Sequence, residues 1–228
     1  MTERIIFHFD ALCPWCYMTS KWVHRLEELG EVEADWGIFS LEINNTGKSS
    51  LEDSLEFRGA RMLRTIIAVR DAAGSQAVGR FYHAVGKRTW DGTEDIKRPE
   101  VIRASLEDIG LDPALHDKAM DDPTTWDRVV EEHENLVNRT RSFGVPTVQF
   151  DGPDGPAFFG PVVSVVPNDS DAVELLRHTA WLTRYANLSE LKRDRTVEPD
   201  LHNFRVRAAE RARREAEAKA AGGAPAGG

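Results

Sequence analysis

Residues 5–16 read Ile5-Ile6-Phe7-His8-Phe9-Asp10-Ala11-Leu12-Cys13-Pro14-Trp15-Cys16, and this stretch decides the fold. Ile5 to Phe9 is a short apolar and aromatic run of the kind that makes a buried strand. The two-cysteine motif follows almost at once. Behind it Cys16, Thr19, Val23, Leu26 and Gly30 recur at helical spacing, with Gly30 a natural stop. Val32, Ala34, Trp36, Ile38 and Ser40 then alternate, so Val32 to Leu41 reads as a second strand. Strand, helix, strand within the first 41 residues makes a βαβ unit, whose crossover is right-handed in nearly all proteins.

From about Ser49 the period changes. Leu51, Leu55, Gly59, Met62, Leu63, Ile66 and Ile67 form one helical stripe ending near Gly74. Val78 to Val85, then Val101 to Ile109, predict two further helices. Asp112-Pro113 opens a short one, with proline in the first turn. Trp126, Val129, Val130, His133, Leu136, Val137 and Thr140 make a long amphipathic stripe. Strand character returns at Pro146 to Phe150, and Asp151-Gly152-Pro153-Asp154-Gly155 is a turn leading to a hairpin partner at Ala157 to Phe159. Asp169 to Tyr185 is helical again. Arg205 to Lys219 mixes basic and acidic residues among alanines and suits a solvated helix. Ala220 to Gly228 is expected to fray. The aromatic and methionine positions on these helices read as core.

The chain has 228 residues, 29 basic and 38 acidic side chains and a formal charge of −9, enough for one domain carrying an insertion. The acidic balance argues against nucleic-acid binding, which needs a clustered positive field. No apolar run approaches the roughly 18 residues of a membrane span. Glu3, Arg4, His8 and Asp10 interrupt the only stretch resembling a signal peptide. Two cysteines cannot build a secreted disulfide framework. The expected location is the cytoplasm, where both thiols need another explanation.

Cys13-Pro14-Trp15-Cys16 lies between a strand and a helix, and the chemistry uses that position. A thiolate is the reactive form of cysteine, and a helix N-terminus favours it through unpaired N–H groups and aligned peptide dipoles. Pro14 at the first helical position loses no hydrogen bond. Cys13 is expected at the exposed tip, and Cys16 about one turn inside, where it reaches a mixed disulfide on Cys13. Zinc would require two more ligands, and the seven histidines are scattered. A structural disulfide across so small a loop would be strained. Two inert buried cysteines would not need Pro14 between them. His8 fits a core or surface role better than one in tuning Cys13. Asp10 either relays protons to Cys16 or starts the turn.

Gly144-Val145-Pro146-Thr147 puts a proline at the entry of a strand. A cis Val145–Pro146 bond is the expectation, presenting the Val145 backbone to the thiol and to a bound substrate.

With these residues in view, the sequence resembles the DsbA-like branch of the thioredoxin superfamily, and within it the actinobacterial family of mycothiol-dependent nitroreductases and disulfide oxidoreductases. The resemblance rests on Phe9 to Cys16, Thr19-Ser20-Lys21-Trp22, Ser40 to Asn45, Val145-Pro146-Thr147, Ala157 to Val162 and Glu190 to Thr196. It spans about residues 3–200 and is weak through the helical middle. It implies an α/β thioredoxin-like fold with an inserted all-helical subdomain. Residues 1–48 and 140–200 would form a discontinuous thioredoxin-like domain, residues 49–139 the insertion and residues 201–228 a charged helix with an Ala/Gly tail. It implies Cys13 as nucleophile, Cys16 as resolving thiol, Pro14 and Trp15 at the entrance and Val145 and cis Pro146 facing the pair. Asn45, at the end of the second-strand motif, would be a pocket residue. Mycothiol would be the reducing co-substrate, with no tightly bound cofactor; disulfides and nitroaromatic compounds would be substrates, in a monomer or homodimer. No Gly-x-Gly-x-x-Gly follows a predicted strand, so sulfur carries the electrons. A rival reading is a 2-hydroxychromene-2-carboxylate isomerase or kappa-type glutathione transferase, which binds a thiol cofactor without cycling a dithiol and has no need of Cys16. A second rival is a binding module without redox chemistry.

Overall fold

The computed structural model describes residues 2–222, with side chains through 217. The first apolar run forms β1 (Glu3–Phe9), paired in parallel with β2 (Val32–Ile38) and antiparallel with β3 (Thr147–Phe150). A fourth strand, β4 (Ala157–Phe159), lies antiparallel on β3, giving the order β2-β1-β3-β4. β1 is therefore central, which explains its composition: both of its faces meet other elements. Successive side chains point to opposite faces. Phe7 and Phe9 meet the Trp36 ring edge-on at 5.4 and 6.0 Å, and Phe9 stacks on Tyr82 at 3.9 Å. His8 lies on the other face, over Gly37.

The crossover helix α1 (Pro14–Glu28) buries Trp22 completely, and its indole N–H donates to Ala172 O, 3.1 Å away on α9 (Asp169–Arg184). Burying such a side chain is worth about 2–3 kcal/mol. Between β2 and β3 the chain is helical throughout. It forms α2 (Leu41–Thr46), α3 (Leu51–Glu56), α4 (Ala60–Ala73), α5 (Ser75–Thr89), α6 (Pro99–Asp108), α7 (Ala114–Asp121) and α8 (Thr124–Thr140). The buried Arg64 of α4 donates to the carbonyls of Ala119, Met120 and Asp122, satisfying acceptors that the end of α7 would leave unpaired. Tyr17 of α1 ties this region to the first helix. Its hydroxyl donates to Asp91 at 2.7 Å, which also pairs with Lys21 at 2.7 Å.

Three expectations are corrected. The second strand stops at Ile38, and Ser40 to Asn45 belongs to α2 and its cap. Ser40 Oγ accepts the Ile43 N–H, and Asp10 accepts the Leu41 N–H at 2.7 Å, so the first-turn donors are captured before a strand can continue. The single stripe from Leu51 to Gly74 is two helices. Glu42 accepts the N–H groups of Arg58 and Gly59 at 2.7 and 2.9 Å, starting α4 afresh. Pro113 stands at the N-cap of α7, one residue earlier than its expected place in the first turn.

The last helix, α10 (His202–Gly222), is anchored at its start by fully buried Leu201 and by Asn203, which donates to Thr89 O at 2.7 Å. From Arg207 to Glu217 the side chains are exposed, as a solvated helix requires. Most of the expected Ala/Gly tail, residues 223–228, lies outside the described residues.

Candidate active site

Cys13 is the N-cap of α1, extended at φ −93° and ψ 106°, with Pro14 at the first helical position. A turn closed by the Cys13 N–H on Asp10 O brings the chain off β1 into that geometry. Cys13 Sγ accepts the Cys16 N–H at 3.1 Å, the contact an N-cap acceptor makes. The same atom contacts Val145 O at 3.7 Å, its thiol the donor. One structural expectation fails here. Cys13 is not an open tip: it is 6% exposed, and Cys16 is fully buried. The Val145 loop lies against Cys13, and Leu12 and Trp15 pack on the same core. Cys13 nevertheless remains the more accessible of the two sulfurs.

The Val145–Pro146 bond is cis, in line with the reading of the sequence; a second cis bond, Gly160–Pro161, was not expected. The hydroxyl of Thr19 donates to Pro161 O at 3.1 Å, docking that second loop on α1. Cys13, Pro14, Trp15, Cys16, Val145 and Pro146 are thus gathered at the junction of α1 and β3. Asn45 comes from a different element. It is an exposed residue of α2, and its neighbour Asn44 donates to Phe143 O at 3.4 Å, two residues before Val145.

Burial dominates the electrostatics. Asp10 is almost fully buried, which pushes its carboxyl up to about 7 even though the N–H groups of Leu41 and Leu12 favour the anion. The Cys16 thiol is held well above its ordinary value by burial first, then by Cys13 and the Asp10 charge. Tyr82 brings a hydroxyl into the same dry region, buried and without a partner among the described residues. His8 is elsewhere. The side-chain amide of Gln149 donates to Pro153 O and Gly155 O, so its oxygen faces His8 Nε2 at 3.1 Å. His8 lines a cavity of about 330 Å³ with Gly37, Arg70, Glu132 and Arg139. The lining of this cavity includes neither cysteine. Among the described residues, no group of three or more His, Cys, Asp or Glu is placed to hold a metal ion. No described helix is long and apolar enough to cross a membrane.

Periodicity alone did not reveal three neighbours of the site. Phe143 is 64% exposed and stacks on Phe159 at 4.9 Å, directly ahead of the Val145 loop. Tyr82 reaches the motif from α5. Arg195 lies over the Trp15 ring, 5.1 Å from its centre. Of the three only Arg195 belongs to a stretch singled out in the sequence, as does Phe159, the ring on which Phe143 stacks.

Comparison with known proteins places this geometry. Among solved structures, the cytosolic disulfide reductase DsbM of Pseudomonas aeruginosa covers 78% of this chain and 99% of its own, with a TM-score of 0.56 at 16% identity. A probable DsbA oxidoreductase from Streptomyces coelicolor covers 85% and 94%, with a TM-score of 0.54 at 14% identity. A 2-hydroxychromene-2-carboxylate isomerase covers 78% and 94%, with a TM-score of 0.54 at 17% identity. At these identities the likeness is one of fold: thioredoxin-like, of the DsbA type. The Mycobacterium tuberculosis protein Rv2286c is 33% identical over 199 residues, 83% of this chain and 81% of that protein. Residues 12–193 match the family described as Rv2466c-like, mycothiol-dependent nitroreductase Rv2466c. With the motif, the cis proline and most of the length included in that match, the chain belongs to the Rv2466c-like family of mycothiol-dependent nitroreductases.

Proposed function

We propose that this protein is a thiol–disulfide oxidoreductase that cycles Cys13 and Cys16 between dithiol and disulfide and is recycled by mycothiol. The observation that carries the reading is the N-cap position of Cys13, with the Cys16 N–H 3.1 Å from its sulfur. Negative charge on Cys13 Sγ is met there by a directed N–H and the positive end of α1.

Cys13 thiolate attacks one sulfur of a substrate disulfide, forms a mixed disulfide and expels the first thiolate. Cys16 then attacks Cys13 Sγ, closing the Cys13–Cys16 bond and expelling the second thiolate. Two electrons pass from the dithiol to the substrate. Buried Cys16 must lose its proton for the second step, and the Asp10 carboxylate is the base that accepts it. One mycothiol thiolate reopens the disulfide at Cys13, and a second releases mycothiol disulfide. A nitroaromatic would take the same two electrons with two protons, giving the nitroso compound and water. Trp15, Pro14, the Val145–Pro146 backbone and Asn45 line the approach. Such a cycle suits a reducing compartment, the cytoplasm.

Intact-mass analysis of Cys16→Ser treated with mycothiol disulfide tests the roles. One stable mycothiol adduct on Cys13 is expected, and none on Cys13→Ser. An adduct on Cys16 in Cys13→Ser, or no adduct in either variant, would overturn the role assignment, whereas full turnover by Cys16→Ser would point to the isomerase or transferase reading. Anaerobic turnover of a nitroaromatic with mycothiol tests the second substrate class. Intact disulfide reduction with no nitroaromatic consumed would remove that class.

A further inference from the structure

The stretch Glu190 to Thr196 contributes nothing to the dithiol cycle above. After α9 the chain runs over the surface with residues 189–198 exposed. It is pinned at both ends. Leu188 N donates to Tyr185 O at 2.9 Å; at the far end the Ser164 hydroxyl donates to Val197 O at 2.8 Å, and Asp200 N donates to Ser164 O at 2.8 Å. Between these anchors the side chain that reaches the motif is Arg195, whose guanidinium lies over the Trp15 ring.

Trp15 is half-buried and packs on the core. A guanidinium stacked on an indole uses its flat face for the ring and leaves its N–H edge open. Among the described residues Arg195 makes no ion pair and no side-chain hydrogen bond, unlike Lys21 nearby, which is neutralised by Asp91. Trp15 is two residues from Cys13, a span of at most about 7 Å. A cation with free donors therefore lies over the residue that separates the two cysteines, in a chain whose net charge is −9.

We propose that Arg195 is a specificity-determining residue that recognises an anionic oxygen group, a carboxylate, carried beside the reacting disulfide or nitro group. The proposal rests on the dithiol reading and adds a substrate class to it. Trp15 orients the guanidinium, and the strap 189–196 delivers it. Substrates with a carboxylate near the reacting atoms gain an ion pair on approach; neutral substrates do not.

The test uses the full chain in its reduced state, with two chromogenic disulfides. One is 5,5′-dithiobis(2-nitrobenzoate), a dianion; the other is 2,2′-dithiodipyridine, which is neutral. Arg195→Ala should slow oxidation by the dianion about tenfold and by the neutral disulfide less than twofold. Arg195→Lys should recover part of the loss, because it keeps the charge without the planar fork. Added salt should narrow the gap between wild type and Arg195→Ala with the dianion and leave the rates with the neutral disulfide unchanged. Equal losses with both probes would mean that Arg195 only packs on Trp15, and no loss with either would mean that it does not touch the substrate. Each result overturns the proposal while the dithiol reading stands. A wild type that reacts with neither probe, or a Cys13→Ser variant that reacts as fast, overturns both.

Discussion

Strand β1 lends Phe7 and Phe9 to one face of the sheet and Ile6 and His8 to the other, and the two sides are built differently. On the first, Phe9, Tyr17, Trp22 and Tyr82 are packed to near-complete burial, and the two thiols share their core. On the second, a cavity of about 330 Å³ lies between β1, β3, α4 and α8, bordered by Arg70, Arg128, Arg139, Glu131 and Glu132. The cavity and its charged lining are on one side; the two cysteine sulfurs are on the other. Close packing leaves a side chain one rotamer and one set of hydrogen-bond partners, which a nucleophile acting at fixed geometry requires. The proposed chemistry belongs to the helix terminus and not to this cavity.

The strongest way to break that contrast is to change one polar group on each side. Cys13→Ser should lower disulfide turnover by at least ~1,000-fold, as loss of a nucleophile does. His8→Gln should leave kcat within about twofold, since His8 faces Gln149 and the cavity. Comparable losses in both variants would show that the cavity side takes part in the reaction.

Two buried titratable groups, one in β1 and one just beyond it, carry opposite signs. Burial lowers His8 to about 4, against the bond from Gln149, so between pH 4 and 6.5 the unfolded chain holds a proton that the folded one excludes. That contribution to stability is present above 6.5 and is lost as pH falls towards 4. Asp10 is raised to about 7, so the folded chain keeps a proton that the unfolded one releases above 3.8. Its contribution is full at low pH and disappears as pH rises through 7. Relative to wild type, Asp10→Asn should therefore become more stable as pH rises from about 4 to 7, by at most ~1.4 kcal/mol per unit. His8→Gln should drift the opposite way over nearly the same interval. Urea melts at several pH values measure both slopes, and parallel slopes would contradict the assignment. Asp10→Asn should also slow the second step, seen as accumulated mixed disulfide in rapid-quench mass analysis.

Smaller effects come from two glycines. A Cβ on Gly86 would lie 2.1 Å from the Tyr17 ring, which is fully buried and held by Asp91. A Cβ on Gly37 would lie 2.2 Å from His8 Nδ1, beside open volume. Overpacking costs ~1–3 kcal/mol, least where a neighbour can yield. Gly86→Ala should cost about 2–3 kcal/mol and Gly37→Ala about 1, by equilibrium unfolding. Equal costs would show that the cavity gives no room.

Much of this was legible in the residues. Alternation and helical spacing located β1, α1 and most of the later helices, because each buries a simple stripe. The motif between strand and helix marked Cys13 and Cys16, and the strand-entry proline marked the loop that meets them. The second strand was read too long because Ser40 alternates like a strand residue, while the donors that turn it into a cap sit on Ile43 and Leu41. The break at Arg58-Gly59 was hidden for the same reason: Glu42, sixteen residues back, makes it. Arg195 and Tyr82 lie far along the chain from the motif, and local pattern carries no information about such pairs.

The sequence by itself determined the frame and the candidate dithiol, since two cysteines at a helix start and the periodicities around them are local properties of neighbouring residues. Tertiary structure alone decided how accessible Cys13 is, which face His8 occupies and which cation stands over Trp15. Those depend on burial and on contacts between residues distant along the chain, and both arise only when the elements pack.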